Sequence, residues 1–518
     1  GSLEMDPIIS FFLVCLVSMA GLIRSASIGC AAEEFPRPQN NTGRSTHFLS
    51  RHPLNPHYFL WCDRPTILIS SGEHYGAVLN RSFDYKKYLD TLASYGFNHT
   101  RIFCGLYVED NGSTHEGPQC GNTLDPPEGQ LLCPFARSDV PGYPKGGNKF
   151  DLSRWNTAFF ARLRDCVDYA AERRIIVEVN FFCPYYGDEI RQWTLSPFNS
   201  VNNVNGVGRC ESKAVFTLDL HDGLLPFQEA MVRRIVEHLQ ESENVYYEIC
   251  NEPYLDGISP EWQHHIAEVI SHTEKGFRQK HLISQNIANG KQEKPISDPH
   301  SAVSLFNFHY SSPDAVTMNY ELNMPIGDNE TGFIGIADAP YRREAWKFLT
   351  AGGALFSHLD YSFTVGHEDG SFVIPTRQGG GGGPFIRNQL QYLQQFLGRF
   401  DFLQMQPDHS VIQGLTVESR LNPAEAPTST KTSAVSAWAL VQPGRQYAIY
   451  IDGGGQTTFQ LVLPAGKYQA QWLHPRTGEY ADHMVFDHEG GYRHFVAPRY
   501  EVDIALRVYH TEDSVRSR

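Results

Sequence analysis

Two glutamates stand where this sequence could do chemistry. Residues 245–253 read VYYEICNEP, an apolar run rich in Val, Tyr and Ile that meets Asn-Glu-Pro. Such a run suits a buried parallel strand, and Pro253, with no N–H to give a ladder, ends it. Glu252 then sits where a strand stops, at the rim of a sheet. Residues 325–333, PIGDNETGF, read as a shorter strand that carries Glu330. Cleaving a glycosidic bond takes two carboxyl groups facing each other across a sugar: one protonates the leaving oxygen, the other attacks the anomeric carbon or activates water. Asp328 competes with Glu330 for the second role, and Glu330 is favoured.

Other polar residues fall at the ends of apolar runs. The candidate substrate-binding set is Glu73, His74, Arg101, Asn251, His309, Tyr310, Asp360 and Tyr361. Each alone is ordinary at the edge of a sheet; their conjunction with two carboxylates is the signal. Glu248 shares strand parity with Glu252 and so points inward. It reads as a buried carboxylate paired with a base such as Arg101 rather than as a catalytic helper. Trp193 either stacks on a sugar or pins its own loop.

The elements that must position these residues alternate. Apolar strands are expected over residues 66–70, 98–103, 175–182, 245–250, 281–287, 303–310, 325–333 and 354–363. Helical spacing is expected over 83–95, 151–173, 226–239, 342–350 and 384–400. Ser259-Pro260-Glu261 predicts a capped helix start. Strict alternation predicts a parallel sheet, and eight strands predict closure into a (β/α)8 barrel over residues 45–399. The loops 105–149 and 185–211 are long enough to wall a pocket, which points to action at chain ends or on short oligosaccharides. The glycine run 379–383 lacks the Lys-Ser/Thr ending of a phosphate loop and reads as a flexible linker. After residue 400 the pattern becomes short β-branched runs between Gly, Pro and Asp turns, predicting an all-β sandwich over 400–512.

With these residues in view, the Asn-Glu-Pro end of the fourth strand resembles the acid/base signature of the clan A glycoside hydrolases, cellulase-like or apiosidase-like (β/α)8 barrels. Arg101 on the second strand and His309-Tyr310 on the sixth extend the likeness. The run WLHPRTGEY at 472–480 resembles the small β-domains, sometimes labelled collagen-binding, that follow such barrels. The resemblance implies a retaining mechanism, with Glu252 as general acid and then base and Glu330 as nucleophile. It implies that Asn251 meets the sugar 2-hydroxyl, that Arg101 keeps Glu330 ionised, and that His309 or Tyr310 orients it. The eighth strand departs from the family: where a Trp platform is usual, it offers His358, Asp360 and Tyr361.

Composition bounds the rest. A formal net charge of -15 argues against a nucleic-acid surface. The expected partner is an oligosaccharide, a polysaccharide or another glycoside, with no cofactor and no metal. Residues 1–4 read as a cloning scar, and 5–32 as a signal peptide too short for a membrane span, with Cys30 as a weaker lipid-attachment candidate. Secretion or periplasmic export is therefore expected. In an exported chain Cys120 and Cys133 could pair. The sequons at Asn40, Asn80, Asn98, Asn111 and Asn329 carry no weight at this chain length. Two rival readings remain: a metal-dependent hydrolase gathering His74, His309, His358 and Asp360, and a non-catalytic sugar-binding barrel.

Overall fold

The structure, a computed structural model, describes residues 48–110, 121–189, 191–376, 378–418 and 435–512. The cloning-scar, signal-peptide and lipid-attachment readings, and Cys120, lie outside the described residues. Among the described residues no helix is long and apolar enough to cross a membrane.

Eight parallel strands form one sheet: β1 (Leu68–Gly72), β2 (His99–Phe103), β3 (Ile176–Phe182), β4 (Val245–Cys250), β5 (Leu282–Asn289), β6 (Leu305–His309), β7 (Ile326–Thr331) and β8 (Leu355–Leu359). Neighbours run in the order β1-β8-β7-β6-β5-β4-β3-β2. All but the end of β5 is buried, as expected of strands covered on both faces. The ring meets itself between β1 and β2 without a regular ladder. There Asn98 acts as a stitch: its side-chain amide donates to the Ile67 carbonyl at 2.8 Å and accepts from the Ile69 N–H at 2.9 Å. A side chain thus supplies the two bonds that backbone pairing would otherwise make. Its sequon cannot carry a glycan without losing that stitch. Asn80 and Asn329 are fully buried.

The helices are α1 (Tyr85–Ser94), α2 (Thr157–Glu172), α3 (Leu225–His238), α4 (Pro260–Thr273), α5 (Asp314–Asn319), α6 (Asp338–Thr350) and α7 (Pro384–Leu397). Ser259 caps α4 as expected, accepting from the Trp262 N–H at 3.2 Å. The reading of 151–173 as one helix is corrected. Asn148–Trp155 pairs antiparallel with Phe135–Pro141, and α2 begins only after Asn156 caps it. Phe150 and Leu152 alternate inward there with a period of two, which a helical reading absorbs too easily. Between β5 and β6 the described residues hold only a short 3-10 turn, Gly290–Gln292, in place of a helix.

The glycine run is not a flexible linker. The Gly383 N–H bonds Asp360, and the Gly381 carbonyl accepts from Tyr361 at 3.0 Å. A Cβ on Gly382, at φ +151°, would sit 1.9 Å from an Asp360 oxygen. The run is glycine because backbone packs directly on the Asp360–Tyr361 rim.

The C-terminal strands are β9 (Ile412–Glu418), β10 (Ser436–Gln442), β11 (Gln446–Asp452), β12 (Gln456–Leu463), β13 (Gly466–Leu473), β14 (Tyr480–His488), β15 (Gly491–Val496) and β16 (Asp503–His510). They form two antiparallel sheets: β9, β12 and β15 in one, and β10, β11, β16, β13 and β14 with Gln406–Pro407 in the other. Both sheets feed one core, where Phe459 meets Trp472 edge-on at 6.2 Å. The WLHPRTGEY run is the β13–β14 turn.

Candidate active site

The parallel barrel brings the ends of β4, β6 and β7 to one rim. His309 pairs in register with Glu330, and Glu252 follows β4 by two residues. The Nδ1 atom of His309 lies 3.1 Å from Glu252 Oε1 and 3.6 Å from Glu330 Oε1. One oxygen of each glutamate and this nitrogen all fall within 4.8 Å of one another. Both carboxylates keep a small exposure, 7 % for Glu252 and 6 % for Glu330, so each is buried but reachable.

Each carboxylate is held by phenols. Tyr310 donates to Glu330 Oε1 at 2.5 Å, and Tyr75 donates to Oε2 at 2.9 Å. Arg101 Nη1 also reaches Oε2, at 3.2 Å. Tyr186 donates to Glu252 Oε2 at 2.8 Å and accepts from Asn251 Nδ2 at 2.9 Å. Burial, then neighbouring ionised groups, push these three phenols well above the usual tyrosine range, so they remain donors. Tyr75, Tyr186, Glu252 and Tyr310 all have positive φ, at 64°, 57°, 37° and 52°. That strain costs on the order of 1–3 kcal/mol per residue, and here it gathers on the two carboxylates and their donors. Asp256 holds the bend at Tyr186, accepting from the Tyr185 and Tyr186 N–H groups at 3.1 and 3.0 Å.

Beneath the rim Arg101 faces three carboxylates at once. Its Nε donates to Glu178 at 2.7 Å, its Nη2 to Glu248, and its Nη1 to Glu330. Burial opposes charge on both inner carboxylates. Arg101 nevertheless holds Glu178 below its ordinary value, while Glu248, facing Glu178, is pushed up. Glu248 also accepts from Asn307 and Asn329, both at 2.9 Å. It is a carboxyl buried against Arg101.

Glu252 and His309 titrate as a pair. Burial raises Glu252, but the His309 bond and charge outweigh it and leave the carboxyl below its usual range. Burial lowers His309, but Glu330 and Glu252 raise it overall. Both shifts favour the charge on the carboxylate and the proton on the imidazole.

The remaining expected site residues divide. Asn251 joins the cluster through Tyr186, and its Oδ1 is buried without a hydrogen-bond partner. His74 packs edge-on against Tyr75 at 5.7 Å and Tyr361 at 5.4 Å. Glu73 is corrected: it is 1 % exposed, and its carboxylate accepts from the Gly76 and Ala77 N–H groups at 2.9 and 3.1 Å, tying its own loop. Asp360 is corrected likewise. Its carboxylate is taken up by Arg387 at 2.7 Å and Ser362 at 2.6 Å. His358 bonds Ser71 at 2.8 Å, so the four-residue metal set of the rival reading does not assemble. Asp328 is fully buried and accepts from the Ser311 N–H, which leaves Glu330 as the strand's accessible carboxylate. Trp193 pins its loop by donating to the Cys210 carbonyl at 3.0 Å.

No family model matches this sequence, and no curated protein matches it. Solved structures do. One titled simply a glycoside hydrolase aligns over 90 % of this chain and 98 % of its own, with a TM-score of 0.57 at 13 % identity. A family 5 glycoside hydrolase from Bacteroides vulgatus aligns over 90 % and 94 %, with a TM-score of 0.58 at 14 % identity. The fold is one that glycoside hydrolases use. Both alignments run past the barrel into the C-terminal sheets, since the barrel alone could not fill nine-tenths of the chain.

Glu252, His309 and Glu330 are also the one group of metal-ligand type found among the described residues. Glu330 is already taken up by two phenols and a guanidinium, and the guanidinium repels a cation at that point.

Sequence reasoning places Tyr186 beyond the third strand among the polar strand-end residues without giving it a role, and it missed Tyr75 and Glu178. The contacts of both tyrosines become visible only through a backbone bend that no local pattern encodes. Glu178 is one more polar residue in an apolar strand, and its parity with Arg101 on the neighbouring strand was the available signal.

Proposed function

We propose that this protein is a retaining glycoside hydrolase in which Glu330 is the nucleophile and Glu252 the general acid and base. The observation that carries the reading is the pair of carboxylates on β4 and β7, with oxygens within 4.8 Å of each other. Retaining enzymes hold their carboxyls about 5–5.5 Å apart, and inverting ones leave roughly 6.5 Å or more for a water.

A sugar entering the rim displaces water from the Glu252–His309 pair. Desolvation favours the neutral form of such a pair over the ionic one. The proton then crosses the 3.1 Å bond to the carboxyl, and Glu252 becomes the acid. Glu330 attacks the anomeric carbon, the bond to the leaving oxygen breaks, and that oxygen takes the Glu252 proton. In the second step Glu252 removes a proton from water. The water oxygen attacks the same carbon and releases Glu330. Arg101, Tyr75 and Tyr310 hold both oxygens of Glu330 in place for attack, and Asn251 is placed to meet the neighbouring hydroxyl. The long loops at 121–149 and 191–211 support action at chain ends. Carriage of a leader and export from the cell belong to the same reading.

A panel of aryl glycosides and polysaccharides tests it, using wild type, E252A and E330A. Both variants should lose at least about a thousandfold in rate. Azide should rescue E330A with an inverted glycosyl azide and E252A with a retained one. Inverted hydrolysis product from wild type overturns the mechanism.

A further inference from the structure

One contact path runs from one catalytic glutamate to the other without passing through the barrel. Tyr186, the donor to Glu252, stands edge-on to Tyr107 at 5.8 Å. Tyr107 donates to Glu109 Oε1 at 3.0 Å. His74 Nε2 lies 3.8 Å from that same oxygen. His74 then packs on Tyr75, the donor to Glu330. The midpoint of this path is polar.

That midpoint has the geometry of a hydroxyl receptor. The gap of 3.8 Å between His74 Nε2 and Glu109 Oε1 is too long for a direct hydrogen bond. An alcohol oxygen placed about 2.8 Å from each would accept from the imidazole and donate to the carboxylate. Burial lowers His74 to about 4, so it is a neutral imidazole and no ion pair draws the gap shut. Burial also raises Glu109 to about 7 against the bonds from Tyr107 and Asn122. This carboxylate is short of donors, and two donors leave part of its roughly four lone-pair sites open. Both residues retain 8 % exposure, close to that of the catalytic pair.

The charge balance narrows the ligand. Among the described residues, Arg101 is divided among Glu178, Glu248 and Glu330, and Arg387 is committed to Asp360. Lys145, the cation on the Glu109 loop, is held by Asp125. Arg191 is held by Asp110, so among the described residues a sugar carboxylate here would meet Glu109 and Glu330 with no uncommitted base.

We propose that His74 and Glu109 form a receptor for the hydroxyls of an uncharged terminal sugar, so that the protein removes neutral residues from chain ends and rejects uronic acids. This rests on the glycosidase reading above and names its substrate class. The residues act in binding, through direct contact with the sugar.

The experiment compares wild type, H74A, E109A and E109Q as full chains, on the aryl glycoside turned over best and on the matching oligosaccharide labelled at its reducing end. Wild type should release only single neutral sugars and leave the matching aryl uronide intact. H74A and E109A should lose about tenfold to a hundredfold in kcat/KM, mainly through KM. E109Q, which keeps the shape and one of the two accepted bonds of the loop, reads the same contact should E109A fail to fold. Wild-type kcat/KM in folded H74A and E109Q, internal cleavage by wild type, or turnover of the uronide each overturns the proposal while leaving Glu252 and Glu330 in place. Should wild type cleave no glycoside, the mechanism fails by itself. The receptor is then read by thermal shift with free neutral monosaccharides. Protection of wild type that is lost in H74A and E109Q supports it, and equal or absent protection overturns it.

Discussion

Two of the guanidinium groups that the protein buries are treated in opposite ways. At the barrel mouth Arg101 faces three carboxylates, Glu178, Glu248 and Glu330. At the seam between α6 and the C-terminal sheets, Arg342 meets Asp503 alone. Two parallel bonds of 2.8 Å join them, and Gln389 takes a third N–H at 2.6 Å. Beside it Asp452 receives Arg343 and Lys347. The seam is balanced or rich in cations, and the mouth is rich in anions. A matched bidentate pair satisfies both partners in a fixed geometry and acts as a fastener. A mismatched cluster cannot ionise fully out of water, so its protons are set by neighbours and can move when a neighbour changes. The same residue type serves structure in one setting and proton control in the other.

The sharpest way to break this contrast is at the mouth. R101K keeps the charge but loses the fork that serves three carboxylates at once. Its kcat/KM on the best glycoside should fall by at least about a hundredfold with little change in melting temperature. A wild-type rate would show that the cluster is mere packing.

At the seam the expected effect is on stability. Both side chains of the Arg342–Asp503 pair are 2 % exposed. R342A leaves Asp503 charged and buried, and should cost about 3–5 kcal/mol in denaturant unfolding. Activity per folded molecule should not move. Replacing both partners by leucine should recover much of that loss. If R342A is neutral, the seam is held by its apolar contacts alone.

The smallest effect separates the two sites by pH. Burial raises Glu248 in the folded protein above its unfolded value of about 4.5. The folded state then binds more protons than the unfolded one. This contribution is complete below the unfolded value and is lost as pH rises through the raised folded one. E248Q, which copies the protonated form, should therefore flatten the fall in wild-type stability from pH 5 to pH 8. Parallel stability curves for the two proteins would count against a protonated Glu248. D503N is the control. It should lower stability at every pH above 5, because its partner's charge is left unmatched.

The barrel strands are legible in the sequence because parallel strands are buried on both faces and appear as unbroken apolar runs. VYYEIC and LFNFH are found within a residue or two for that reason. Pro253 and the Ser259 cap are legible because they act through the local backbone. The stretch 148–155 is not, because two inward residues at positions 150 and 152 sit close to a helical pattern in the following residues. Glu73 and Asp360 have the right type at the right strand ends, yet both turn into their loops. Strand position says which rim a side chain belongs to and leaves open what it bonds. Tyr75 follows His74 and Tyr186 lies beyond the third strand, and only the left-handed turn at each swings its phenol onto a carboxylate.

By itself the sequence determined the parallel barrel, the sandwich that follows it, and the two glutamates at the ends of β4 and β7. Those follow from periodicity, which is a property of neighbours in the chain. Tertiary structure alone decided that Arg101 would answer to three carboxylates, that His309 would stand between Glu252 and Glu330, and that Glu109 would face His74 across an open gap. Those relations join residues far apart in sequence through burial and charge, and they exist only once the ring of strands has closed.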